Sequence, residues 1–267
     1  MDADRFDELA KDPRFISGIY NYCDRWCERC AFTGRCLNYA MGQAEAAGDS
    51  RARDIKNEVF WDKLHQTFES TMEMIEEQVD EMDFDFDEED FDEFLEREEQ
   101  VHETARAQPY SRTARRYIDT VENWFALNEG LVDETSNGPG SSARTDISAD
   151  DTAALRDCLE VIRWYQPQIL VKLCRAAGGA IRADIEELDC FQEDADGSAK
   201  VAIIGIERSI AAWATVLRRF GDHEDAIFAL GTLKRLLRQV ETAFPNARAF
   251  HRPGFDTDEE AADPIEP

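Results

Sequence analysis

Four of the seven cysteines fall within fourteen residues, Cys23-Asp-Arg-Trp-Cys27-Glu-Arg-Cys30-Ala-Phe-Thr-Gly-Arg-Cys36. Thiolates packed this closely repel one another unless something positive sits between them, so the stretch points to a metal centre. The steps from Ile16 through Tyr20, Cys23 and Cys27 to Cys30 are four, three, four and three. On a helix opened by Asp12-Pro13 this spacing sets three thiols on one face, and a turn at Thr33-Gly34 brings Cys36 back over the helix end. Cβ atoms so placed stand about 5–6 Å apart, a separation that suits the corners of a 4Fe-4S cluster. A single zinc ion holds its sulfurs at ~2.3 Å, usually from two cysteine pairs farther apart in sequence, and is the alternative cofactor. Arg25, Arg29 and Arg35 would offset the negative charge of either centre. A cluster held by four cysteines leaves no iron open to a substrate, so the expected role is redox or sensing rather than turnover.

The segment Cys27-x-x-Cys30 followed by five residues and Cys36 resembles the iron-sulfur loop of the helix-hairpin-helix DNA glycosylases. That resemblance implies a 4Fe-4S cluster on these cysteines. It covers only the loop: the family's first cysteine stands farther from the pair than Cys23 does from Cys27, and no catalytic aspartate context accompanies it, so glycosylase activity is not implied. Cys23, Cys27 and Cys30 also match the three-cysteine spacing of radical S-adenosylmethionine enzymes, whose strand-and-helix barrel this sequence does not encode.

Two further constellations could bind metal. Asp62-x-x-His65 and Glu99-x-x-His102 are similar to the Glu-x-x-His motif of ferritin-like di-iron bundles, with Glu122, Glu160 and Glu207 as further carboxylates and His102 facing inward by helical phase. A ferritin-like di-iron protein is thus a third reading, after the iron-sulfur protein and a zinc-stapled protein-interaction adaptor. Asp85, Asp87, Glu89 and Glu96 take calcium-loop positions, but Asp90 stands where the loop needs glycine. Cys158, Cys174 and Cys190 are too widely spaced to share a helical face and read as core residues.

The elements that must position these groups are helical throughout. Residues 51–82 form an amphipathic helix with Val59, Leu64, Phe68, Met72, Ile75 and Val79 inward, and Ser111 to Leu127 another with Ala114, Tyr117, Val121 and Trp124 on one side. Ser148 and Asp151 open a third, carrying Leu155, Leu159, Ile162, Ile169 and Leu173, with a kink expected before Pro167 and a terminus at Gly178-Gly179. The last two stripes, Ile203, Ile206, Ile210, Trp213, Leu217, Phe220 and Leu230, Leu233, Leu237, Val240, Phe244, predict a long antiparallel hairpin turning at Gly221-Asp222. The fold class is an all-α multi-helix bundle, with an N-terminal part at 1–132, a linker at 133–147, a C-terminal part at 148–250 and an acidic disordered tail at 251–267.

Fifty-eight acidic against thirty basic residues give a net charge of −28, which argues against direct nucleic-acid binding. Fifteen of the residues from Glu76 to Gln100 are acidic, and within 82–96 they alternate with phenylalanines, a pattern suited to docking on a basic protein partner. No apolar run approaches the ~18 residues that cross a bilayer, and the N-terminus lacks a secretory signal. A cytoplasmic setting is expected, where thiols stay reduced.

Overall fold

The computed structural model describes residues 9, 11–46, 51, 54–81, 88–128, 149–186, 188–220 and 224–256. The described residues form seven α-helices: α1 (Leu37–Ala46), α2 (Glu58–Glu81), α3 (Glu88–Ala107), α4 (Pro109–Leu127), α5 (Ala149–Glu186), α6 (Asp189–Phe220) and α7 (Glu224–Ala243). There is no strand among the described residues, as the all-α reading requires. The chain divides into two compact units, one of residues 1–21, 25–97 and 253–267, the other of residues 22–24 and 98–252.

The second unit is a four-helix bundle in which α4 packs on α5 and α7, and α6 on α5 and α7. The apolar stripes cause this arrangement. Ala114, Tyr117, Val121 and Trp124 of α4 are buried, as are Leu155, Leu159, Ile162, Ile169 and Leu173 of α5. On α6 and α7 the stripe lies one residue from the expected one in places. Val216 and Leu236 are buried, as are Ala226 and Ala229 of α7, whereas Leu217 and Leu237 are only half-buried. Between α5 and α6 the contact is closer still: a methyl at Gly179 would stand 3.0 Å from the Phe191 carbonyl oxygen and 3.2 Å from Ala195 Cβ. Gly178 and Gly179 therefore lie inside α5 rather than ending it, and α5 also runs on through Pro167. Ser148, Gly221 and Asp222, read as turn and cap residues, lie outside the described residues.

At the bundle centre Trp124 and Trp213 meet edge to face with ring centroids 5.2 Å apart. The Trp213 indole N–H donates to the Tyr117 hydroxyl at 3.0 Å, so this polar pair is satisfied where no water reaches. Pro109 begins α4 at a position whose amide has no helical partner, and Ser111 Oγ donates to the Ala105 carbonyl at 2.7 Å, which caps the end of α3.

The helices of the first unit differ in kind. On α2, Trp61, Leu64, Phe68, Met72 and Ile75 recur at helical spacing, yet Trp61 is 53 % and Phe68 63 % exposed. The expected inward face of 51–82 is thus an outward one; Val59 is half-buried and the Val79 side chain lies outside what is described. Phe91, Phe94 and Leu95, at the start of α3, are likewise exposed, while Val101 and Ala105 farther along are buried in the second unit. Of the acidic-aromatic segment, 82–87 lies outside the described residues.

Burial raises the pKa of the Tyr117 phenol to about 12 and that of Tyr110 to about 12. The folded chain thus holds these protons more tightly than the unfolded one, and the associated stability is complete below the ordinary phenol pKa and lost as pH rises toward 12. Tyr117→Phe is expected to lower unfolding free energy near neutral pH by about 1 kcal/mol, since it orphans the Trp213 N–H. The same variant should flatten the alkaline decline, as measured by denaturant melts across pH.

Candidate metal centre

The backbone that carries the cysteines is not the helix their spacing suggested. Asp12 caps a turn, accepting the Arg14 N–H on its side chain at 3.0 Å and the Phe15 N–H on its carbonyl at 3.1 Å. Gly18 then takes φ +72° and Arg25 φ 59°, left-handed conformations that no α-helix passes through. From residue 11 to 36 the chain is a series of turns with two short 3-10 stretches, Cys27–Arg29 and Thr33–Arg35. The steps of four and three therefore do not put Ile16, Tyr20, Cys23, Cys27 and Cys30 on one helical face. Helix begins only at α1, where the Ala40 N–H donates to the Cys36 carbonyl at 3.0 Å.

This loop closes on itself in the first unit. The Ile16 N–H donates to the Arg35 carbonyl at 3.0 Å, and Phe32 packs edge to face on Phe255 at 5.1 Å. Gly254 lies against Ile16 and Ile19, so residues 253–255, expected to begin a tail, are part of the N-terminal packing. Cys27, Cys30 and Cys36 are all half-buried here. Cys30 Sγ accepts the Phe32 backbone N–H at 3.4 Å.

Cys23 belongs with the second unit, where both its neighbours are anchored. The Tyr22 hydroxyl donates to Asp194 at 3.3 Å and its ring meets Phe250 at 4.6 Å. The Asp24 carbonyl accepts the Trp164 indole N–H at 3.0 Å, and its carboxylate accepts Arg208 Nη1 at 2.8 Å together with the Tyr165 hydroxyl. Burial, with Asp24 beside it, pushes the Tyr165 pKa up, which keeps this phenol a donor.

Among the described residues, no group of three or more His, Cys, Asp or Glu side chains is disposed to hold a metal ion. Arg25, Arg29 and Arg35 are exposed, and the Arg29 guanidinium lies over the Trp26 ring at 4.1 Å. The di-iron set is not assembled either. His65 pairs with Glu69 at 3.3 Å on the exposed side of α2, and Asp62 is exposed. Glu99 and His102 are exposed, the inward positions on that part of α3 being Val101 and Ala105. Glu122, Glu160 and Glu207 also face outward, Glu207 pairing with Arg248 at 2.7 Å. Cys190 is exposed rather than core, and Cys158 and Cys174 are half-buried.

A second feature was not expected from the sequence. In the bundle unit a cleft of about 700 Å³ is lined by Arg106, Arg115, Arg175, Arg182, His102 and Asp194 among others. Its basic residues come from three helices, so no single motif announces it; the only local signs are His102 one turn from Arg106 and Arg175 two turns from Arg182.

Asp24→Ala removes a charged acceptor of two donors and is expected to destabilise the bundle unit by about 2 kcal/mol. Alkylation of Cys23 by iodoacetamide, followed by peptide mass spectrometry, should then run faster than in the parent chain, while that of Cys158 stays level. Compared with protein-family models, curated proteins and solved structures, the chain shows no match.

Proposed function

We propose that the chain is a protein-interaction module whose acidic helix α2 receives a basic amphipathic helix from a partner protein. The observation that carries this reading is the stripe Trp61, Leu64, Phe68, Met72 and Ile75, five large apolar side chains in helical register that stay exposed. A surface stripe of this kind marks a docking site, its residues recurring every three or four positions as in helix-in-groove recognition. Charge selects the occupant. Residues 58–107 carry twenty acidic and three basic side chains, so a second copy presenting the same face is repelled and a basic helix is attracted. An 18-residue synthetic helix of leucine and lysine at amphipathic spacing is the probe. Calorimetry should show saturable binding that weakens with salt and falls at least tenfold in Leu64→Glu/Phe68→Glu, a loss of about 1.4 kcal/mol. Equal binding by parent and variant would overturn the reading, and self-association of the parent alone would replace it with a homo-oligomer.

A second reading concerns the thiols, and the Cys30 Sγ hydrogen bond favours it, because amide donors to sulfur accompany metal thiolates. In it Cys23, Cys27, Cys30 and Cys36 hold a 4Fe-4S cluster with a redox or sensing role, or a zinc ion that staples the module, in a cytoplasmic setting where thiolates persist. Protein purified without oxygen should then contain iron and sulfide, with a paramagnetic signal on reduction, or one equivalent of zinc. Cys27→Ala and Cys30→Ala should each lose that metal, and metal retained by both variants would sink this reading.

A further inference from the structure

We propose that the cleft formed by α3, α4, α5 and α6 binds a small amphiphilic organic anion, an oxyanion head group on a short apolar body. The sign of its lining runs against the chain. The protein as a whole carries −28, a field that repels anions, yet four guanidinium groups and one imidazole face this space against a single carboxylate.

The four arginines fall into two kinds. Arg175 is held by Asp194, with Nε 3.0 Å from Oδ2 and Nη2 2.5 Å from Oδ1, and Arg182 is gripped in the same two-pronged way by Glu98. These pairs fix two walls and neutralise themselves. Arg106 and Arg115 are different: among the described residues neither has a carboxylate within ion-pair distance, in a chain with nearly two acids for every base. Their charges are available to an incoming oxyanion, whose geometry a guanidinium fork matches in a bidentate way. His102, one turn from Arg106, adds a third donor.

The rest of the lining is apolar. Leu170, Val171 and Phe191 face the cleft, and Val171 is 60 % exposed although it is a large aliphatic residue on a bundle helix. The bare backbone at Gly178 keeps the floor open, since a methyl there would come to 3.1 Å from Arg182 Nη1. The volume of about 700 Å³ suits a single small molecule. A polar end fixed by two arginines with an apolar wall beside it describes an alkyl or aryl phosphate or carboxylate; inorganic phosphate would fill only the head position.

The test is calorimetric titration of the full chain with n-octyl phosphate below its micelle concentration, at low salt. One saturable site is expected, with octyl phosphate binding at least tenfold more tightly than inorganic phosphate or octyl glucoside. Arg106→Gln/Arg115→Gln should weaken it tenfold or more, and Arg106→Lys/Arg115→Lys should do so less. Leu64→Glu/Phe68→Glu on α2 should leave it unchanged, which separates the cleft from the exposed stripe. Octanoate binding as tightly, with the same loss in the glutamine variant, supports the site and assigns it a carboxylate head. Absence of binding, or equal binding by the parent and a folded Arg106/Arg115 variant, overturns the proposal, as does octyl glucoside binding as well as octyl phosphate.

Discussion

The edge-to-face contact of Trp124 with Trp213, tied by the Trp213 indole to the Tyr117 hydroxyl, sets the spacing of the whole bundle. Two indoles and a phenol fill the space between α4 and α6 so fully that Trp124, Trp213 and Tyr117 are each at most 1 % exposed. Rings of this size leave little freedom for the helices to slide, and the single internal hydrogen bond gives the pair a preferred orientation. Every other surface on the second unit, from the anchor around Asp24 to the arginine-lined cleft, is displayed on helices held in place by this centre.

The two units solve the problem of apolar surface in different ways. In the bundle, four amphipathic helices cover one another, and of the described charged residues only Lys172 and Asp196 are buried. On α2, an equally regular stripe stays exposed, although Trp61 and Phe68 would each contribute substantial burial if covered. Acidic flanks on such a face repel like surfaces before their apolar residues meet.

Much of the architecture was legible in the residues. Three- and four-residue apolar steps identified α4, α5, α6 and α7, and the buried sets on α4 and α5 are those the steps selected. Periodicity states that a helix has an apolar face, however, and not whether anything covers it, so α2 was read as buried. It also cannot register backbone handedness: the cysteine steps had helical rhythm, but left-handed Gly18 and Arg25 interrupt the chain on either side of Cys23. For Gly18 the residue type hinted at this; for Arg25 nothing did. The cleft escaped for another reason. Its guanidinium groups come from residues as far apart as Arg106 and Arg182, and only the packing of three helices makes them neighbours.

The conformation of Arg25 limits which sequences could occupy this loop. A left-handed residue without glycine's freedom carries roughly 1–2 kcal/mol of backbone strain, and a β-branched side chain there would carry more. Drift at this position is therefore open to glycine and asparagine and closed to valine and isoleucine, whatever becomes of the thiols beside it. A single backbone angle, rather than any property of the guanidinium, thus sets the permitted alphabet between Asp24 and Trp26.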